Sequence, residues 1–118
     1  VVGPYHDYTS YGGVVFGYDN RVAAPWAGVL GGRFNRAQGS YAVTGGGYYL
    51  LASGDYSVAL GGYGSSATGD YAAVYGTTYS SASADYASVV GGFSNTAAGG
   101  WSLVAGGYGR TEASNYGY

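Results

Sequence analysis

The chain has no lysine, cysteine, methionine or isoleucine, and its 118 residues carry only four arginines and six acids. Arg21, Arg33, Arg36 and Arg110 stand against Asp7, Asp19, Asp55, Asp70, Asp85 and Glu112, for a net charge of -2. Without a basic cluster the chain is not a nucleic-acid binder, because a phosphate backbone needs several cations on one face. Without cysteine there is neither a disulfide framework nor a thiolate metal centre. No run of about 18 apolar residues occurs, so no segment spans a bilayer as a helix. No signal-peptide pattern opens the sequence.

What is abundant is glycine, with 25 residues, and tyrosine, with 16. Glycine at that level without aromatics reads as a flexible linker. Here tyrosines and valines supply apolar area enough to order the chain. Shifting the sequence against itself by 15 residues aligns nearly all of it. The blocks from residue 54 onward read GDYSVALGGYGSSAT, GDYAAVYGTTYSSAS, ADYASVVGGFSNTAA and GGWSLVAGGYGRTEA. The first and second blocks, TSYGGVVFGYDNRVA and APWAGVLGGRFNRAQ, align without a gap. One column is aromatic throughout: Tyr11, Trp26, Tyr41, Tyr56, Tyr71, Tyr86, Trp101 and Tyr116. Five and six residues later comes a glycine pair, as in Gly61-Gly62 and Gly91-Gly92. Residues 1–8 depart from the pattern and read as an irregular cap or joint, with residues 9–118 as the repeat domain.

The segments between the aromatic and the glycines, such as Ser57-Val-Ala-Leu60, are short, apolar and partly β-branched, and so read as strands. Glycine recurs too often for a helix, at roughly 1 kcal/mol per residue against alanine. The glycine pair is expected to turn a corner into a second, more polar strand. Two short strands cannot bury a core alone, whereas stacked copies can. The expected fold is an all-β parallel β-solenoid of about eight turns. The first strand is apolar on both faces: Val58 and Leu60 point one way and Ala59 the other. Strands of that kind are usually covered on both sides. Val43, Val58, Ala59, Leu60, Val74, Val89, Val90, Leu103 and Val104 are therefore expected to form the core of an oligomer, most simply a homotrimer. The aromatic column is still in register at Tyr116, which leads to an expectation of end-to-end filaments or of continuation into further sequence.

Ser57-Val-Ala-Leu-Gly61, preceded by Gly54-Asp-Tyr and followed by Ser66-Ala-Thr-Gly69, resembles the head repeats of YadA-like trimeric autotransporter adhesins. GGFSNTAAGGWSLVAGG is similar to the longer variant of that repeat, also found in phage tail-fibre proteins. The resemblance covers about residues 11–116. It implies a left-handed parallel β-roll that trimerises, is extracellular or on a cell surface, and binds matrix proteins or cells. In place of the asparagine that often precedes Ser-Val-Ala in that family, this chain has Tyr56 and its column-mates.

No catalytic constellation emerges, and neither an enzyme nor a cofactor is expected. The single histidine, His6, adjoins Asp7 but has no nucleophile in reach by sequence, and reads as a solvated side chain. Asp55, Asp70 and Asp85 share a column. They form either a carboxylate rank that takes a cation or turn residues that are simply solvated. The aromatic column is the candidate binding surface, for a glycan, a matrix protein or a cell surface; alternatively it seals the edge of the roll. The readings to be separated are an adhesive fibre module, a phage or viral receptor-binding fibre, and an ice-binding solenoid. Threonines fall at scattered columns, against the last of these.

Overall fold

The computed structural model describes residues 1–118, which wind into an all-β parallel solenoid of about seven turns with about 15 residues to the turn. Each turn gives a longer strand to a broad sheet, split in the third turn into Val43–Gly45 and Gly47–Tyr48, and a two-residue strand to a narrow sheet. In the fourth repeat these are Val58–Tyr63 and Ser66–Ala67. The broad sheet runs from Val14–Tyr18 to Leu103–Ala105 and the narrow sheet from Asp7–Tyr8 to Thr111–Glu112. Neighbouring strands come from successive turns and are parallel, with Val58 opposite Ala73 and Ala73 opposite Ser88. Stacking satisfies the backbone from one turn to the next, as where Val58 N–H donates to the Ala72 carbonyl at 2.9 Å.

The two sheets lie back to back, and the Cα envelope measures 39 × 22 × 12 Å. A slab this thin leaves about 10 Å between sheets, room only for small side chains. Alanine and valine fill it: Ala59, Val74, Val89 and Val104 from the broad sheet, and Ala52, Ala67, Ala82 and Ala97 from the narrow sheet. The large aromatics stand outside. The expected oligomer core therefore divides by strand alternation. Ala59, Val74, Val89 and Val104 are fully buried in the chain's own interior and are not a surface for a partner. Val43, Val58, Leu60, Val90 and Leu103 project outward from the broad sheet, half-buried or exposed.

The gap-free alignment of the first two blocks does not hold. Val15 opposes Val29 and Phe16 opposes Leu30, but Tyr18 opposes Arg33. Gly31 is the extra residue of a β-bulge, and before it the spacing is one residue short. The narrow sheet begins with Asp7 and Tyr8 opposite Arg21 and Val22, so the ladder reaches into the segment set apart by its sequence. The glycine pair does not make the corner. Gly61 and Gly62 have φ of 67° and 91°, yet the strand runs through them to Tyr63. The corner follows at Gly64, Tyr79 or Ser94, all with positive φ.

The interior carries three hydroxyls with no hydrogen-bond partner: Thr44 Oγ1, Ser57 Oγ and Ser102 Oγ. Ser57 and Ser102 sit in a column otherwise filled by Ala27, Ala42, Ala72 and Ala87. Replacing both by alanine should raise the thermal midpoint, since an unsatisfied buried hydroxyl costs about 1–3 kcal/mol. A double variant that melts earlier than the parent would show that these hydroxyls are paired in solution.

Candidate functional site

The slab has two narrow edges, and both are aromatic. At the first, Trp26, Tyr41, Tyr56, Tyr71, Tyr86, Trp101 and Tyr116 all adopt left-handed backbone, with φ between 59° and 62°. Such a conformation costs a bulky L-residue about 1–2 kcal/mol. Two interactions offset it. The backbone N–H of each ring residue reaches the previous turn, as Tyr71 N–H does to the Asp55 carbonyl at 2.8 Å. The rings then stack: Tyr41–Tyr56, Tyr56–Tyr71 and Tyr71–Tyr86 have centroids 4.8–4.9 Å apart and planes within 3°. Stacked in this way, the rings cover one another's faces and present edges and hydroxyls to solvent. Tyr71→Ala should cost about 1–3 kcal/mol, because two stacking contacts go and the backbone strain stays. Tyr71→Gly should recover part of that by relieving the strain. Equal stability of all three proteins in urea would mean that the stack contributes nothing.

Tyr11 does not belong to this rank. The residue with positive φ in the first turn is Gly12, and Tyr11 meets Trp26 edge-on, at 5.8 Å and 81°. The one-residue short spacing before the bulge displaces it.

The second edge escaped the sequence reading because its aromatics alternate between two adjacent columns. Tyr18, Phe34, Tyr48, Tyr49, Tyr63, Tyr79, Phe93 and Tyr108 make one continuous chain of contacts, mostly edge-to-face. Arg33 lies over both Tyr18 and Phe34, its guanidinium 4.6 and 4.7 Å from the ring centroids. The neighbouring Tyr79 phenol pushes the Tyr63 phenol above its usual range.

The aspartate column completes backbone rather than gathering around an ion. Asp55 Oδ1 accepts from Ser40 N–H at 2.9 Å, Asp70 Oδ1 from Asp55 N–H at 2.9 Å, and Asp85 Oδ1 from Asp70 N–H at 3.0 Å. Asn115 Oδ1 does the same for Gly100 N–H at 3.0 Å. A neutral amide thus performs the same task, so the column needs an acceptor, not a charge.

A second polar rank runs inside the roll and was missed. Asn20, Asn35, Ser65, Ser80 and Asn95 share one buried column. Asn35 Nδ2 donates to the Gly31 and Gly47 carbonyls at 3.1 and 2.9 Å, and its Oδ1 accepts from Leu50 N–H at 2.9 Å. The asparagines hold the bent backbone at the glycine pair by adding a side-chain donor to its carbonyls, as at Gly107, whose carbonyl accepts from both Phe93 N–H and Asn95 Nδ2 at 3.0 Å. The recurrence of Asn20, Asn35 and Asn95 after the glycines was the available signal. His6 is the top rung of this rank rather than a solvated side chain. Its Nδ1 accepts from Asn20 N–H at 3.1 Å, so Nε2 carries the proton and donates to the Val2 carbonyl at 2.9 Å.

The two outer faces differ in chemistry. The broad sheet presents Phe16, Leu30, Val43, Val58, Leu60, Tyr75, Val90 and Leu103 outward, with Leu30 58% and Val90 45% exposed. The narrow sheet presents Arg21, Arg36, Leu51, Ser66, Ser81, Thr96 and Thr111. The chain matches no family model, no curated protein and no solved structure.

Proposed function

We propose that this chain is a non-enzymatic, self-associating module of an extracellular fibre or cell-surface appendage, with adhesion as its role. Copies pack their broad apolar faces together, most simply as a trimer about an axis parallel to the solenoid. A left-handed roll of this kind is what the resemblance to YadA-like adhesin heads implies. The observation that carries the reading is the contrast between the two outer faces. Contiguous exposed apolar area on one side of a soluble slab marks an interaction surface, and here the opposite side is polar. The narrow sheet and the aromatic edges are then left outward, available to a glycan, a matrix protein or a cell surface.

Sedimentation equilibrium tests the first step, with a mass of three chains as the expected result. A monomer at all concentrations would overturn it. The ice-binding alternative makes a separate prediction, a thermal hysteresis gap, and none is expected. Thr44 and Thr77 are buried, and the outward threonines form no long rank.

A further inference from the structure

The molecule has one cavity, of about 230 Å³, on the second aromatic edge where it turns into the narrow sheet. Asp7, Asp19, Arg21, Phe34, Arg36 and Tyr49 line it, over the buried Asn20. These residues hold four of the chain's ten charged side chains, in a protein where charge is scarce. The ion pairing within the cavity is incomplete. Arg21 Nε meets Asp7 Oδ2 at 3.1 Å, which is the only salt bridge in the protein. Arg36 lies one turn further along the same sheet, in register with Arg21, and no carboxylate pairs with it. Asp19 is exposed at a corner with φ of 49°, and its carboxylate accepts no hydrogen bond. One free guanidinium and one free carboxylate therefore border the same hollow. Phe34 and Tyr49 supply an apolar wall, their rings stacked at 5.0 Å and 16°.

Structural duty does not account for the arginine. At the equivalent place in later turns stand Leu51, Ser66 and Ser81, and the sheet is built equally well there. Nor does the site suit a polyphosphate, because its two acids cancel its two arginines. It suits a small ligand with one anionic group, several hydroxyl donors and an apolar C–H surface. The volume is that of a single six-membered ring with its substituents, below the range of drug-sized sites.

We propose that this pocket binds one carboxylate-bearing sugar unit. Arg36 takes the carboxylate in a bidentate pair, Asp19 accepts hydrogen bonds from the ring hydroxyls, and the ring edges of the stacked Phe34 and Tyr49 meet the C–H surface. The inference rests on the adhesive reading and names a ligand class for it. The pocket lies away from the apolar broad face, so self-association leaves it open.

The test is saturation-transfer NMR of glucuronic acid with the full chain, beside glucose, acetate and glutamate. Saturable binding of glucuronic acid, weaker binding of the other three, and a loss of about tenfold or more in Arg36→Gln are expected. Asp19→Asn should also weaken binding while keeping its corner, since asparagine tolerates positive φ. Arg110→Gln, at the far end of the roll, should bind like the parent. Circular dichroism of each variant establishes that it is folded. Glucuronic acid failing to bind the parent overturns the proposal. So does equal binding of acetate or glutamate, or an Arg36→Gln protein that binds unchanged. Sedimentation of the same samples reads self-association separately, so failure of one idea is not mistaken for failure of the other.

Discussion

Ala59→Asp should unfold the middle of the solenoid, whereas Leu60→Asp, one residue on, should leave the fold standing and dissolve its assembly. Ala59 is fully buried between the two sheets, among Ala67, Ala72 and Val74. An aspartate there has neither room nor partner, and an unpaired buried charge costs several kcal/mol. That is a large share of the 5–15 kcal/mol that holds a typical domain together. Leu60 points the other way, outward from the broad sheet. Aspartate there is solvated in the single chain but sits on the face proposed for self-association, where its desolvation opposes docking. Circular dichroism should lose its β-sheet signal for Ala59→Asp only. Sedimentation should fall to monomer mass for Leu60→Asp. If both variants unfold, or if Leu60→Asp sediments like the parent, the outer face is not the assembly surface.

Asn35→Leu is expected to destabilise the chain by about 3–6 kcal/mol in urea denaturation. Leucine is accommodated by size in this column, since Leu50 occupies the next rung and is fully buried. What is lost is bonding. The Gly31 and Gly47 carbonyls lose a donor each and Leu50 N–H loses its acceptor. Buried groups left without partners cost more than the bonds themselves contributed. Asn35→Ser should fall between, because Ser65 and Ser80 already accept the following turn's N–H at 3.1 Å. Asn35→Leu matching the parent in stability would mean that water reaches these groups. At the top of the rank His6→Asn should be nearly neutral, because asparagine is the residue the column uses elsewhere.

The repeat made the solenoid legible because the same few residue types recur at one spacing, and stacking is the way such units bury a face. Alternation within Val58-Ala-Leu60 also gave the two faces of the broad strand. The bulge at Gly31 was not legible, since a strand can absorb one extra residue without changing its composition. That displaced Tyr11 from the aromatic rank. The second aromatic edge was hidden because its rings split between two adjacent columns, Tyr48 and Tyr63 in one and Phe34 and Tyr49 in the next, although they meet in space.

The period, the parallel stacking of strands and the line of aromatics from Trp26 to Tyr116 follow from the repeat, because a strict repeat forces equivalent residues to lie one above another. Which side of each strand faces inward, and what the polar residues do, depends on how the turns pack in three dimensions. Asparagines and aspartates look alike in a sequence whether they meet water or backbone. Their roles depend on which carbonyl or amide the next turn brings within 3 Å, a fact of three-dimensional proximity between residues far apart in the chain. The same holds for the pocket, where the column of Asp19, Phe34 and Tyr49 meets the column of Arg21 and Arg36 only because the roll folds one edge of its slab into its narrow sheet.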